Sequence, residues 1–154
     1  MTARTKVEKE PNYSFVTARI LMDQIRNEAL EFLGIAEEAT YADMENYYPE
    51  ALVKYIDKGI ELEILDPELK NYDLKQLGQA IDHTRDNQFA YLGIQTLYDR
   101  YFIHSNKIRY ELPQVFFMRV AMGLAIEEKE REKRTIEFYN CLLYTSDAAD
   151  ETER

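Results

Sequence analysis

The 154 residues carry a formal net charge of −10, with 29 acidic and 19 basic side chains. This charge argues against a general nucleic-acid binder, which needs a basic face to displace counterions. An apolar fraction of 45% and a charged fraction of 31% are typical of a soluble globular domain. The single cysteine excludes an intramolecular disulfide framework and favours a reducing, cytoplasmic setting.

The sequence shows no motif that carries chemistry. Its two histidines and one cysteine are far apart and give no metal-ligand spacing. It has no glycine-rich phosphate loop and no nucleophile elbow. Residues 1–11 lack the apolar run of a signal peptide. We therefore predict no catalytic, cofactor-binding or metal-binding residue, no nucleic-acid partner and no membrane partner.

Apolar periodicity predicts a mainly α fold. Apolar residues recur at steps of three and four over 14–33, which predicts a long amphipathic helix ending at Gly34. Pro49 is typical of a first helical turn and predicts a second helix that ends at Gly59. The connections are short and polar, as in a helical layer.

Shorter elements follow in chain order. Asp66, before Pro67, and Asp73 are N-cap signals, and Asp73 predicts a short helix over 74–81. An apolar stripe predicts a further helix over 91–102.

One small β-hairpin is expected after that helix. Its strands are 103–104 and 107–110, which flank Ser105 and Asn106 as the turn.

The stretch 113–126 is apolar almost all the way round and predicts a buried helix. It is shorter than the roughly 20 apolar residues that span a bilayer. Because the chain offers little surface to cover such a helix, we expect a large apolar patch to stay exposed. A buried guanidinium needs a carboxylate or carbonyl partner, so Arg119 is expected to tie this helix to another element.

The charged stretch 127–139 predicts a solvated helix. Glu127 with Arg131, and Glu130 with Arg134, have the spacing of favourable ion pairs.

Other residues that could carry chemistry are interpreted as structural. Asp82 is expected to cap a helix, and Asp86 to pair with Arg85 rather than act as an acid–base couple. His83 and His104 are expected at the surface. Three tyrosines share one predicted helical stripe and are interpreted as packing residues with a polar tip: Tyr91, Tyr98 and Tyr101.

The last fourteen residues, 141–154, have a separate interpretation. The stretch CLLYTSDAADE can be translated from a transposon-end adapter used to prepare sequencing libraries. We therefore expect 141–154 not to be native sequence, and Cys141 not to be a nucleophile, ligand or redox partner.

Several motifs together resemble the ribonucleotide reductase large (catalytic) subunit family. They are YSFVTAR at 13–19, the pair Arg85-Asp86, FAYLGIQTLYDRY at 89–101, ELPQ at 111–114 followed by FMRVAMG at 117–123, and IEFYN at 136–140. The resemblance runs from about 11 to 140 in the family's order and spacing.

The resemblance implies a position in a longer protein. It makes 1–11 a linker after an effector-binding cone, and 12–140 a helical N-terminal segment that lacks the family's ten-stranded α/β barrel. The family reduces ribonucleoside diphosphates to deoxyribonucleotides by thiyl-radical chemistry. The resemblance favours the class that uses ATP and dNTP effectors, a metal-containing, radical-generating small subunit, and thioredoxin or glutaredoxin, with a cobalamin-dependent member as the alternative. The family's catalytic residues have no counterpart here, so this segment alone is expected to be inactive.

One regulatory position can be compared. Some members place a lysine on the first helix against the effector nucleotide, and the matching residue here is Asn27, beside Arg26. Because asparagine carries no charge, we assign no effector-binding residue. The alternative hypothesis for the whole chain is a free-standing all-α protein-interaction module without enzymatic activity.

Overall fold

A computed structural model describes the backbone of residues 11–89, 91–105 and 108–152, and the side chains of 16–89, 93–103 and 110–144. Six α-helices and one two-stranded pairing make up this part of the chain: α1 (Pro11–Phe32), α2 (Met44–Glu61), α3 (Leu74–Ala80), α4 (Tyr91–Thr96), β1 (His104–Ser105), β2 (Ile108–Arg109), α5 (Pro113–Leu124) and α6 (Arg131–Thr152). The mainly α prediction is confirmed. No helix among the described residues is long and apolar enough to cross a membrane.

Helix α1 buries the stripe that its periodicity predicts. Ile25, Ala29 and Leu30 are fully buried, and the helix packs against α4 and β2. Gly34 follows the helix with a φ of +73°, the left-handed conformation in which a Cβ would be strained.

Helix α2 begins earlier than predicted. Pro49 does not open the helix but lies inside it, five residues after Met44. The first turn is held because Met44 and Tyr48 are buried in the core, and because Asp43 Oδ2 accepts hydrogen bonds from the Thr40 N–H and Oγ1. Burial of these two side chains outweighs the backbone hydrogen bond that proline cannot donate.

The cap predictions are confirmed. Asp66 accepts from the Glu68 N–H at the start of a 3₁₀ turn (Pro67–Asn71), and Asp73 accepts from the Gln76 N–H at the start of α3. Asp82 accepts from the Thr84 N–H and opens a second 3₁₀ turn (His83–Gln88).

The helix predicted over 91–102 changes type partway along. After α4, residues Leu97–Tyr101 form a π-helical turn.

The strand pairing that follows is shorter than predicted and shifted. His104 pairs with Arg109 and Ser105 with Ile108, antiparallel. Ser105, predicted as a turn residue, therefore belongs to the first strand.

Helix α5 is more completely covered than expected. Seven of its residues are buried: Pro113, Gln114, Val115, Phe117, Met118, Ala121 and Met122. It packs against α6, α2 and the second 3₁₀ turn. The prediction of a large exposed patch was wrong because these elements come from the same chain. What stays open is a narrow stripe, with Phe116 and Val120 half-buried and Leu124 62% exposed.

The charged segment after α5 is not one helix from 127 to 139. Residues 125–130 form turns, and α6 begins at Arg131. The predicted i,i+4 pairs were wrong: Arg131 pairs with Glu68, at 2.9 Å from Nη1 to Oε1, and Arg134 pairs with Glu137, at 3.0 Å. The Arg131 guanidinium also lies over the Tyr72 ring, 4.3 Å from the centroid.

Helix α6 continues past Asn140 to Thr152. Leu143, in the segment expected to be non-native, is 2% exposed and belongs to the core. The adapter origin of 141–154 stays a prediction, which the DNA sequence around codon 141 would test.

Two helical glycines allow a matched test of packing. A Cβ on Gly78 in α3 would lie 2.9 Å from the Pro49 Cα, whereas a Cβ on Gly123 in α5 would meet no atom within 4 Å. We expect Gly78→Ala to lower the free energy of unfolding by about 1–3 kcal/mol, because α2 and α3 must separate. Gly123→Ala should leave it unchanged or raise it by up to about 1 kcal/mol. Urea unfolding measures the free-energy change of both variants. Equal changes would contradict the close approach of α2 and α3.

Candidate functional site

The motifs found in the sequence converge in the structure around two buried carboxylates. Asp86 is 6% exposed and Glu111 is fully buried. Each accepts a hydrogen bond from a tyrosine of α2, Tyr48 or Tyr55, which lie two helical turns apart on one face. We call these groups the Asp86 cluster and the Glu111 cluster.

The Asp86 cluster joins four segments of the chain. The Tyr48 hydroxyl donates to both carboxylate oxygens, at 2.7 and 2.9 Å. Gln114 Nε2 donates to Asp86 Oδ1 at 2.9 Å and to the Asp82 carbonyl at 2.7 Å. Gln114 Oε1 in turn accepts from the Tyr139 hydroxyl. The cluster therefore connects α2, the second 3₁₀ turn, α5 and α6.

Arg85 reinforces the same junction from the outside. Its Nη1 donates to Asn140 Oδ1 at 2.8 Å, and its guanidinium lies 5.5 Å from the Tyr139 ring centroid. The predicted Arg85–Asp86 ion pair is thus wrong. The two side chains point to different partners because neighbouring residues of a 3₁₀ turn face in different directions.

Burial raises the pKa of Asp86 to about 6, from an ordinary value of 3.8. Hydrogen bonds from Gln114 and Tyr48, and the positive charge of Arg26, partly oppose this rise. A carboxyl group with a pKa near neutrality is a common feature of catalytic sites. Here both oxygens are already engaged by protein donors, so the arrangement serves structure rather than proton transfer to a substrate.

The Glu111 cluster confirms that Arg119 needs a carboxylate partner. Arg119 Nε donates to Glu111 Oε2 at 2.6 Å, and Nη2 lies 3.3 Å from Oε1. The Ile103 N–H donates to Oε1 at 3.1 Å, and the Tyr55 hydroxyl donates to Oε2. A bidentate guanidinium with two further donors is the arrangement that makes a buried carboxylate tolerable. The cluster fixes the start of α5 to α2.

Asn27 has a structural task. Its Oδ1 accepts a hydrogen bond from the Ala39 N–H at 3.1 Å, which holds the loop after α1.

Arg26, the neighbour of Asn27 in the sequence, is buried and lines a cleft of about 450 Å³ between α1 and residues 86–89. The Nη1 atom of Arg26 contacts Asp23 Oδ1 at 2.5 Å.

The other residues singled out in the sequence lie apart from these clusters. His83 is half-buried beside the Tyr41 ring, at 5.1 Å between centroids. Tyr98 is half-buried and donates to Glu28 Oε2 at 3.0 Å, as expected of a packing residue with a polar tip. Tyr101 is 57% exposed, contrary to prediction. Cys141 is exposed, and the side chains of Tyr91 and His104 lie outside the described residues.

In the described part of the chain, no group of three or more His, Cys, Asp or Glu side chains is placed to hold a metal ion. Sequence reasoning missed the roles of Tyr48, Tyr55 and Glu111. The sequence offered one signal of these buried polar groups. Glu111 lies just before an otherwise apolar helix, and Gln114 lies in its first turn.

Removing Glu111 should be strongly destabilising. We expect Glu111→Ala to lower the free energy of unfolding by about 3 kcal/mol, because Arg119 and Tyr55 lose their acceptor inside the protein. Glu68→Ala is the matched control, since it breaks the exposed pair with Arg131 and should cost no more than about 1 kcal/mol. Chemical denaturation of both variants measures these changes. Similar losses of unfolding free energy in the two variants would show that the Glu111 cluster is not desolvated.

The pH dependence of stability should report Asp86. Because its pKa is higher in the folded state, folding takes up a proton, and stability falls as pH rises from about 4 through about 6. The difference between about 6 and 3.8 corresponds to about 3 kcal/mol, which is fully present only below pH 3.8, largely present at pH 4 and lost by pH 7. Asp86→Asn should remove this component. Unfolding free energies of both proteins at pH 4, 5, 6 and 7 test it, and parallel curves would contradict the assignment.

Comparison with known proteins identifies the family of these motifs. Residues 87–144 match the ribonucleotide reductase all-alpha domain. The chain is 48% identical over 143 residues to the ribonucleoside-diphosphate reductase subunit alpha of Chlamydia muridarum, covering 92% of this chain and 13% of that protein. It is 38% identical over 144 residues to the Helicobacter pylori subunit alpha, covering 92% of this chain and 16% of that protein. It is 32% identical over 141 residues to the Danio rerio large subunit, again covering 92% of this chain and 16% of that protein.

The residues that match the all-alpha domain include Glu111, Gln114, Arg119 and Tyr139, whereas Asp86, Tyr48 and Tyr55 lie before them. The chain spans about a seventh of the length of these curated relatives. Residues 87–144 thus correspond to the ribonucleotide reductase all-alpha domain, and the chain is similar to one part of ribonucleoside-diphosphate reductase large subunits.

Proposed function

We propose that this chain is a helical scaffold segment of a ribonucleoside-diphosphate reductase large subunit. The observation that carries the proposal is the 48% identity to the Chlamydia muridarum subunit alpha over 92% of the chain. Identity at this level over nearly the whole chain is expected when two segments have the same place in the same kind of protein.

The activity of the intact protein would be reduction of ribonucleoside diphosphates to deoxyribonucleotides for DNA synthesis. We propose as its partners the remainder of the large subunit, a radical-generating small subunit that contains a metal, and thioredoxin or glutaredoxin. ATP and dNTPs would be its effectors, and the cytoplasm its compartment. We propose no catalytic, cofactor-binding or metal-binding residue within this segment, nor a nucleic-acid or membrane partner.

The scaffold role is supported by how the polar motif residues are used. Gln114 forms hydrogen bonds with Asp86, with Tyr139 and with a backbone carbonyl. Glu111 accepts hydrogen bonds from Arg119 and Tyr55. These groups have their hydrogen-bonding capacity filled inside the segment, which suits a rigid support better than a substrate site.

A second candidate, a free-standing all-α interaction module, is favoured by the burial of α5. Seven residues of this helix are covered by the chain's own elements, so a stable isolated domain is physically reasonable. The gene separates the two candidates. A reading frame that continues into a cysteine-containing barrel supports the reductase, and a natural stop near Asn140 supports the module.

A segment exchange tests the scaffold proposal. Residues 12–140 would replace the matching segment in the Chlamydia muridarum subunit alpha, and deoxyribonucleotide formation would be measured with that organism's small subunit and a dithiol reductant. We expect the chimera to retain activity within about tenfold of the parent, because buried partners move together with the segment. The same chimera with Glu111→Ala should lose activity and thermal stability together, whereas Glu68→Ala should not.

The isolated 154-residue chain gives the complementary measurement. It should form no deoxyribonucleotide under the same conditions, and any turnover by it would contradict the scaffold role. A folded chimera without activity would show that the segment is not interchangeable with that of the relative.

A further inference from the structure

The cleft between α1 and residues 86–89 has the size and lining of a small-molecule site. Its volume is about 450 Å³, within the range of roughly 300–1,000 Å³ that ligand pockets occupy. Met22 and Phe89 supply apolar surface, and Arg19, Arg26 and Asn87 supply polar groups.

Arg26 is the group in the cleft that most needs a ligand. Its side chain is 4% exposed, yet a guanidinium keeps its charge inside a protein. Among the described residues, its one ion-pair contact is Nη1 to Asp23 Oδ1 at 2.5 Å. A guanidinium has five N–H donors in a planar fork that fits the two oxygens of a carboxylate or phosphate, so most of that capacity is unused.

Asp23 is held in place only weakly. Its side chain is 67% exposed and lies three residues before Arg26 on the same helix. Because Asp23 is itself largely in solvent, its carboxylate can turn away without being desolvated, and a ligand oxyanion that takes its place keeps the buried Arg26 charge paired.

The other acidic groups near Arg26 are engaged elsewhere. Asp86 lines the cleft, but its oxygens accept from Tyr48 and Gln114. The charge of Arg26 also reaches Asp43, whose Oδ2 accepts from the Thr40 N–H at 2.8 Å. Neither carboxylate forms an ion pair with Arg26 in the described structure.

A second arginine adds positive charge at the mouth of the cleft. Arg19 lies seven residues, or about two helical turns, before Arg26 on α1, and its side chain is exposed. The cleft thus has one buried and one exposed guanidinium beside an apolar wall.

From this geometry we propose that the cleft binds a small molecule in which an oxyanion, carboxylate or phosphate, is attached to a compact apolar group. The oxyanion pairs with Arg26 and is approached by Arg19, while the apolar group lies against Met22 and Phe89. Asp23 contacts Arg26 at the oxyanion position and is displaced by the ligand. This proposal does not rest on the reductase assignment.

Four probes test which chemical group the cleft binds: phenyl phosphate, benzoate, inorganic phosphate and benzyl alcohol. Each is titrated into the full 154-residue chain at constant ionic strength, and binding is followed by amide chemical shifts of α1 and residues 86–89. Phenyl phosphate or benzoate, whichever source of the oxyanion fits, should bind at least about tenfold more tightly than benzyl alcohol. It should also bind more tightly than inorganic phosphate, which lacks the apolar group.

Variants test the roles of the three charged residues. Asp23→Asn should tighten binding of the preferred anion about fivefold, because its competitor for Arg26 is gone. Asp57→Asn is the matched control, since Asp57 is a similarly exposed helical aspartate paired with Lys70, and it should have no effect. Arg26→Gln should weaken binding at least about tenfold, and Arg19→Gln by a smaller factor, with Arg134→Gln as the exposed control.

Circular dichroism melts establish that each variant is folded, and Asp23→Asn, at an exposed position, is informative even if Arg26→Gln does not fold. The proposal is overturned if neither anion binds. It is equally overturned if benzyl alcohol binds as well as the anions, or if Asp23→Asn leaves their affinity unchanged.

Discussion

Two carboxylates, Asp86 and Glu111, lie where water cannot solvate them, and each must be neutralised by the protein around it. An unpartnered charge at either place would cost several kcal/mol. Tyrosine hydroxyls spaced two turns apart on α2, at Tyr48 and Tyr55, donate to the two carboxylates. Hydrogen bonds tolerate errors of only a few tenths of an ångström. The positions of α2, α5 and the turn before α4 are therefore fixed relative to one another, and the apolar core is packed around that arrangement.

The same constraint determines what the polar residues of the sequence motifs do within this segment. Hydrogen bonds join Asp86 to Gln114 and Gln114 to Tyr139, which brings together three motifs that are 25 or more residues apart in the sequence. Once these groups are paired they have little capacity left for a substrate. Their value lies in rigidity, since a fully satisfied buried network specifies one arrangement of helices. A rigid helical segment is what a larger catalytic assembly needs as a support.

Arg26 differs from the other buried charges. Arg119 has a bidentate carboxylate partner that is itself fully buried, whereas Arg26 relies on Asp23, which is largely in solvent. Both guanidiniums are shielded, but only Arg119 is neutralised by a partner inside the core. This difference between the partly buried Arg119 and the buried Arg26 separates a structural ion pair from a charge that remains available at the surface of a cleft.

The sequence by itself determined the helical class, the N-caps at Asp66, Asp73 and Asp82, and the need of Arg119 for a carboxylate or carbonyl partner, because these depend on local spacing and on the chemistry of single side chains. Only the tertiary structure decided that Pro49 lies inside α2 and that α5 is covered by its own chain. It also decided the partners of the buried carboxylates, since Tyr48 is 38 residues from Asp86 and Tyr55 is 56 residues from Glu111. Such pairings depend on how the helices pack in space, and hydrophobic periodicity along the chain does not predict them.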